Sequence, residues 1–127
     1  MRVALDTNAY SDFMRGVKER VRVVRGAARV YLPLFVLGEL RAGFAAGSQS
    51  ERNAAALAEF MAHRHVELLL PDAGTTEHYA RLFAQLRRQG TAIPTNDLWI
   101  AALTMQHGLT LCTSGAHFSH LPQIAIC

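Results

Sequence analysis

Val3-Ala4-Leu5-Asp6-Thr7-Asn8 begins with three apolar residues cut off by an acid. Together with Arg2, the run Arg2 to Leu5 has the length and character of a buried strand rather than a helix. Asp6 therefore stands directly after a strand. The same kind of unit recurs down the chain. Arg29 to Leu32 reads as a second strand ended by Pro33, followed by a helix over Leu34 to Ala46 that Gly47 stops. Gln49 to His63 carries Leu57, Phe60 and Met61 on one face and predicts another helix. Val66 to Leu70, closed by Pro71 and Asp72, predicts a third strand. Tyr79, Leu82, Phe83 and Leu86 recur at helical spacing up to Gly90. Thr95 is expected to cap a helix through His107, with Gly108 just past its end. Leu109 to Thr113 and Gln123 to Ile126 read as the last strands, and Tyr10 to Ala28 as two short helices broken near Gly16. Short apolar runs alternating with helical patterns specify an α/β fold: a mostly parallel sheet of about five strands flanked by helices.

Composition narrows the function classes. The chain has 127 residues, 50% hydrophobic and 18% charged, with a net charge of +3. That length suits one domain over residues 1–127 with a single core, and the balance excludes disordered, collagen-like and coiled-coil chains. The longest apolar runs, Leu68 to Leu70 and Trp99 to Leu103, fall far short of the roughly 20 residues of a membrane span. Asp6 interrupts the start too early for a signal peptide, so a soluble, cytoplasmic protein is expected. Cys112 lies in an apolar run and Cys127 at the end, and the two read as a core thiol and a tail thiol. Lys18 is the sole lysine among thirteen basic residues. Arginine matches phosphate oxygens in pairs, which suits a phosphate-rich partner, although a GC-rich genome produces the same balance.

The chain has ten acids. Glu19, Glu51, Glu59 and Glu77 lie near arginines in helical stretches and read as solvated faces, and Asp12 and Asp72 as turn or cap residues. Three acids resist such explanations. Asp6 follows the first strand. Glu39 sits within Leu34-Phe35-Val36-Leu37-Gly38-Glu39-Leu40, and Asp97 opens the apolar Asp97-Leu98-Trp99-Ile100-Ala101-Ala102-Leu103. Helix capping and dipole compensation account for Asp6 and Asp97 singly, but a mid-helix acid between Leu37 and Leu40 needs a partner. All three belong to the crevice beyond the carboxyl ends of a parallel sheet, where ligands bind in such folds. Carboxylates gathered there repel one another unless a cation holds them, and oxygen-only donors favour Mg²⁺ or Mn²⁺. Rival chemistries lack their parts: there is no G-x-G-x-x-G, no phosphate-binding loop, no G-x-S-x-G elbow and no H-E-x-x-H. Asn8 stands where an aspartyl-phosphate phosphohydrolase would have a second Asp, and His63 and His65 read as surface residues.

These segments resemble the PIN-domain ribonucleases, and within them the VapC toxins of bacterial type II toxin–antitoxin systems. The resemblance runs nearly end to end. It rests on Leu5-Asp6-Thr7-Asn8, Gly38-Glu39-Leu40-Arg41-Ala42-Gly43, Asn96-Asp97-Leu98-Trp99-Ile100-Ala101-Ala102, and Leu111-Cys112-Thr113 leading to His117-Phe118 and Leu121-Pro122. It implies a PIN-like three-layer fold and a metal-dependent endoribonuclease that hydrolyses RNA with water activated by Mg²⁺ or Mn²⁺. Asp6, Glu39 and Asp97 match the family's metal-binding acids. Asn8 and Thr113 match polar positions that orient a carboxylate or hold water at the ion. One position departs from the family: Thr113-Ser114-Gly115-Ala116-His117-Phe118 has Gly115 where a fourth acid is usual, and Ser114 is only a weak substitute. That departure supports an alternative, a catalytically impaired PIN module that binds antitoxin or RNA without cleaving.

Arg41 is the first candidate for RNA contact, with Arg87 and Arg88 after it. Trp99 is expected in the core, and His117-Phe118 as a loop anchor. The resemblance further implies a cognate VapB-like antitoxin, a homodimer and toxin–antitoxin hetero-oligomers, with no membrane partner. Phe13, Val17, Val21 and Val24 are apolar residues open to core, dimer or antitoxin roles.

Overall fold

A computed structural model describes all 127 residues. Its strands are β1 (Arg2–Leu5), β2 (Arg29–Pro33), β3 (Val66–Leu69) and β4 (Thr110–Cys112). The helices are α1 (Thr7–Met14), α2 (Lys18–Gly26), α3 (Leu34–Ala46), α4 (Ser50–Met61), α5 (Ala73–Gln89) and α6 (Thr95–His107), with a 3₁₀ turn at His117–His120. The four strands form one sheet in the order β3-β2-β1-β4, and every pairing is parallel, with Val3 opposite both Val30 and Thr110. The chain steps outward from β1 to β2 to β3 and then returns to the other side of β1. Under right-handed crossover this return reverses direction, so the helices of the β3-to-β4 connection cover the face opposite the earlier ones.

The expected fifth strand is reduced to a single bridge between Leu111 and Ile126. A turn, where Ile124 N–H donates to the Leu121 carbonyl at 3.1 Å, takes residues expected to open that strand. Only Ala125 to Cys127 then run alongside, with Leu111 N–H donating to the Ala125 carbonyl at 2.8 Å and Cys127 N–H to the Leu111 carbonyl at 2.9 Å. This contact corrects the reading of the cysteines. It sets the Cys112 and Cys127 Cα atoms 4.7 Å apart, and the two are joined as a disulfide. Core thiol and tail thiol are one cross-link.

The core gathers Val3, Ala4 and Leu5 of β1, Leu32 of β2, Leu111 of β4 and the buried residues of α6, among them Ile100 and Leu103. Helix α6 is buried on most sides, so its apolar residues show no clean stripe. It starts at Thr95 with Pro94 as its cap, and no side chain caps it. Thr95 is therefore the first helical residue rather than the cap, because Pro94 supplies the extended turn into the helix. Gly108 ends α6 in the left-handed region at φ 61°, and Gly16 separates α1 from α2 at φ 77°; both conformations favour a residue without Cβ. Asp72 caps α5 as expected, whereas Asp12 lies within α1 and pairs with Arg15. Trp99 is half-buried rather than core. Phe35 stacks on it at 5.5 Å and Tyr79 at 4.1 Å.

Candidate metal centre

The sheet changes direction between β1 and β4, and a crevice beyond the carboxyl ends at such a reversal is where open parallel sheets bind ligands. The residues leaving those two strands are Asp6 and Thr113. The register brings them together: Asp6 N–H donates to the Cys112 carbonyl at 3.2 Å, continuing the ladder by one step. The Asp6 side chain caps α1 by accepting from Ala9 N–H at 2.8 Å through Oδ1, while its Oδ2 accepts from the Thr113 hydroxyl. Thr113 Oγ1 in turn accepts from Gly115 N–H at 2.9 Å. Asp6 is only 6% exposed. Both structural explanations of this acid therefore hold together, since one carboxylate caps a helix and faces the crevice.

Glu39 lies half-buried on α3 with no hydrogen-bond partner of its own. Asp97 sits in the first turn of α6, and its Oδ2 is 2.8 Å from His117 Nδ1. Asp6 and Glu39 both feel the charge of Asp97. Burial pushes the Asp6 carboxyl above the usual aspartate range, the Thr113 and Ala9 hydrogen bonds and the Arg20 charge pull the other way, and the Asp97 charge adds to the rise. Burial likewise raises Glu39, and the charges of Asp97 and Asp6 raise it further. The Thr7 hydroxyl lies close enough to Glu39 to oppose that rise. It stops short of hydrogen-bond geometry, and Thr7 Oγ1 is buried without a partner.

In these side-chain positions no three metal-ligating groups close on one point. Even so, the donors fit a hard cation. All are oxygens, their mutual repulsion is what a cation would relieve, and an orphaned hydroxyl lies among them. Mg²⁺ in particular keeps several waters and takes one or two carboxylates directly. A hollow of about 460 Å³ lies elsewhere: Phe13, Met14, Val24, Phe60 and Val66 are among its lining residues, and none of the three acids is.

The other expected residues scatter. Asn8 is exposed in the first turn of α1. Ser114 is exposed and accepts from Arg20 Nη2 at 3.3 Å. A Cβ on Gly115 would lie 3.9 Å from Asp6 Oδ2, so this glycine borders the acid crevice. Arg41 is exposed two positions after Glu39, and residues so spaced face different sides of a helix. Arg87 and Arg88 occupy the last turn of α5, where cations favour the helix dipole. His117, expected as a loop anchor, bonds Asp97. One neighbour of the acids escaped sequence reasoning. Arg20 reaches the crevice from α2, and nothing marks it out among the arginines of that helix.

Comparison with known proteins gives a consistent family. The PIN domain family matches residues 3–124. Ribonuclease VapC4 of Mycobacterium tuberculosis is 32% identical over 90 residues, covering 71% of this chain and 69% of that protein. The crystal structure of DNA-bound VapBC from Salmonella typhimurium superposes with a TM-score of 0.86 at 28% identity, over 100% of this chain and 97% of that one. VapBC2 from Rickettsia felis, bound to a DNA fragment from its promoter, shares the fold with a TM-score of 0.89 at 24% identity, over 100% of this chain and 98% of that one.

Proposed function

Because the chain belongs to the PIN domain family, we propose that it is a VapC-type endoribonuclease toxin that hydrolyses RNA phosphodiester bonds with the help of Mg²⁺ or Mn²⁺. The observation that carries this reading is that Asp6, Glu39 and Asp97 lie near one another at the sheet reversal, where burial first and then the Asp97 charge raise the pKa of both Asp6 and Glu39. An ion bound there would supply an activated water and offset charge on the phosphate. Asp6, Glu39 and Asp97 would hold it, one or two directly and the others through water.

The chain's own groups set up the rest. Ala9 N–H and the Thr113 hydroxyl fix the Asp6 carboxylate from two directions, one at each oxygen. His117 fixes one oxygen of Asp97 and leaves the other open. Bare carboxylates repel a polyanion, so RNA approaches only when cations balance them. The relatives' toxin–antitoxin complexes support a VapB-like antitoxin as the partner, in a hetero-oligomer. A homodimer is also expected, checked by light scattering at micromolar concentration.

The test is cleavage of an end-labelled structured RNA with Mn²⁺, with Mg²⁺ and with EDTA, beside Asp6→Ala and Gly115→Asp. Cleavage that needs the ion and is lost in Asp6→Ala is the expected result. Cleavage that persists in EDTA would overturn the assignment of the site. Gly115 favours one second reading, a module that binds without cutting, and cleavage by Gly115→Asp alone would establish it.

A further inference from the structure

Arg20 stands beside the acid crevice, where it touches the loop that follows Thr113, and no Asp or Glu side chain pairs with it. Arg15, Arg22 and Arg29 are each ion-paired, with Asp12, Glu19 and Glu67. Arg20 instead donates Nη1 to the main-chain oxygen of Cys127 at 3.3 Å and Nη2 to Ser114 Oγ at 3.3 Å. Both bonds are long, and a guanidinium carries five N–H donors, so most of its capacity is unused. The residue is half-buried. The loop it touches continues into Gly115, whose Cβ position lies 3.9 Å from Asp6 Oδ2. A cation thus sits beside the loop that borders the buried carboxylate of the proposed centre.

We infer that Arg20 is the chain's phosphate ligand at this site: its planar fork takes an RNA phosphate that enters over Gly115 and holds it against the acids. This inference rests on the nuclease reading of the site and adds the residue that would receive the substrate's charge. Arginine suits the task because two parallel N–H donors match two phosphate oxygens. The chemistry also resolves an electrostatic difficulty, since three acids with a single divalent ion still leave the crevice unfavourable to a polyanion. The competing role is mechanical: Arg20 merely ties the Ser114 loop to the chain's last residue.

The experiment compares Arg20→Met, which keeps the stem without charge, and Arg20→Lys, which keeps charge without the fork. Arg64→Met serves as the control, because it removes the same charge just before β3, at the other end of the sheet. A fluorescein-labelled RNA stem-loop is titrated by anisotropy in Ca²⁺ over a series of salt concentrations, and melting temperatures are taken alongside. Arg20→Met should weaken binding about tenfold and lower the salt slope by roughly one, the mark of one lost phosphate contact. Arg20→Lys should keep the slope and lose part of the affinity, and Arg64→Met should change neither. In Mn²⁺, cleavage by Arg20→Met should fall by about 10²–10³-fold, the loss typical of removing one charge-stabilising donor. Unchanged affinity and slope in Arg20→Met, with or without a lower melting temperature, would leave only the mechanical role. Should Arg20→Met fail to fold, Arg20→Lys decides: full retention of both affinity and cleavage would refute the fork. If the parent protein cuts no RNA with any ion, the nuclease reading fails, while the Ca²⁺ titration still decides whether Arg20 takes a phosphate.

Discussion

Replacing Asp6 separates two roles that one carboxylate plays. Asp6→Ala removes the acceptor for Ala9 N–H, a cap worth about 1 kcal/mol. It also strands the buried Thr113 hydroxyl, for about another 1 kcal/mol. For a domain of this size each kcal/mol lowers the melting temperature by roughly 3–5 °C, so Asp6→Ala should melt about 6–10 °C below the parent. Asp6→Asn keeps an oxygen for Ala9 and offers an amide to Thr113, whose hydroxyl can turn to accept it, while it deletes the charge. Folding raises the pKa of Asp6, so the folded chain holds that proton more tightly than the unfolded one. The stability from this source is complete below the unfolded value, 3.8, and is lost as pH rises through the folded one. At about pH 8 the parent carries the buried charge at a cost that Asp6→Asn avoids. Thermal melts in EDTA from about pH 4 to pH 8 should therefore place Asp6→Asn above the parent at high pH, with the margin closing as the buffer turns acidic. If Asp6→Asn drops as far as Asp6→Ala at about pH 8, the charge is not a burden in the fold and the argument from desolvation fails.

Four further outcomes follow from the same contacts. Thr113→Val removes the hydroxyl that holds Asp6 in its charged form, so Mn²⁺ affinity measured by titration calorimetry should fall; unchanged affinity would free Thr113 of any orienting role. In Gly115→Asp the new Cβ would meet Thr113 Oγ1 at 3.3 Å and its acid would face Asp6. The metal-free protein should melt lower and gain more from Mn²⁺ than the parent, and the reverse pattern would mean that the new acid points elsewhere. The Cys112–Cys127 link closes a loop of sequence separation 15. A reductant should lower the parent's stability by up to about 3 kcal/mol and leave Cys127→Ser untouched, as read by denaturant titration. Leu103→Ala empties a fully buried site on α6 and should cost about 2–5 kcal/mol in the same titration.

Much of this was legible because the residues concerned answer to local rules. Arg2 to Leu5 and Leu34 to Ala46 have the bounds expected of them, since an acid, a proline and a glycine punctuate them. Asp6 and Glu39 stood out because acids in apolar company need a reason. What escaped depends on distant pairing. Cys112 and Cys127 meet only because the last residues lie along β4, which no spacing within either segment announces. Arg20 reaches the crevice through the angle at which α2 returns across the fold, and its neighbours Arg22 and Arg25 look the same in one dimension. Thr95 and Pro94 are both good openings for a helix, and the fixed φ of proline decided between them.

The half-buried aromatic stack has a practical meaning of its own. Trp99 is the only tryptophan of the chain, and it stands two residues after Asp97. Its ring is flanked by Phe35, one helical turn before Glu39 on α3, and by Tyr79 of α5. Any event that draws Glu39 and Asp97 together or drives them apart must slide this indole against its neighbours. The protein thus contains its own fluorophore at the joint between the two helices that carry the acids, and its emission can report in real time when an ion, a nucleic acid or a partner protein moves them, without a label.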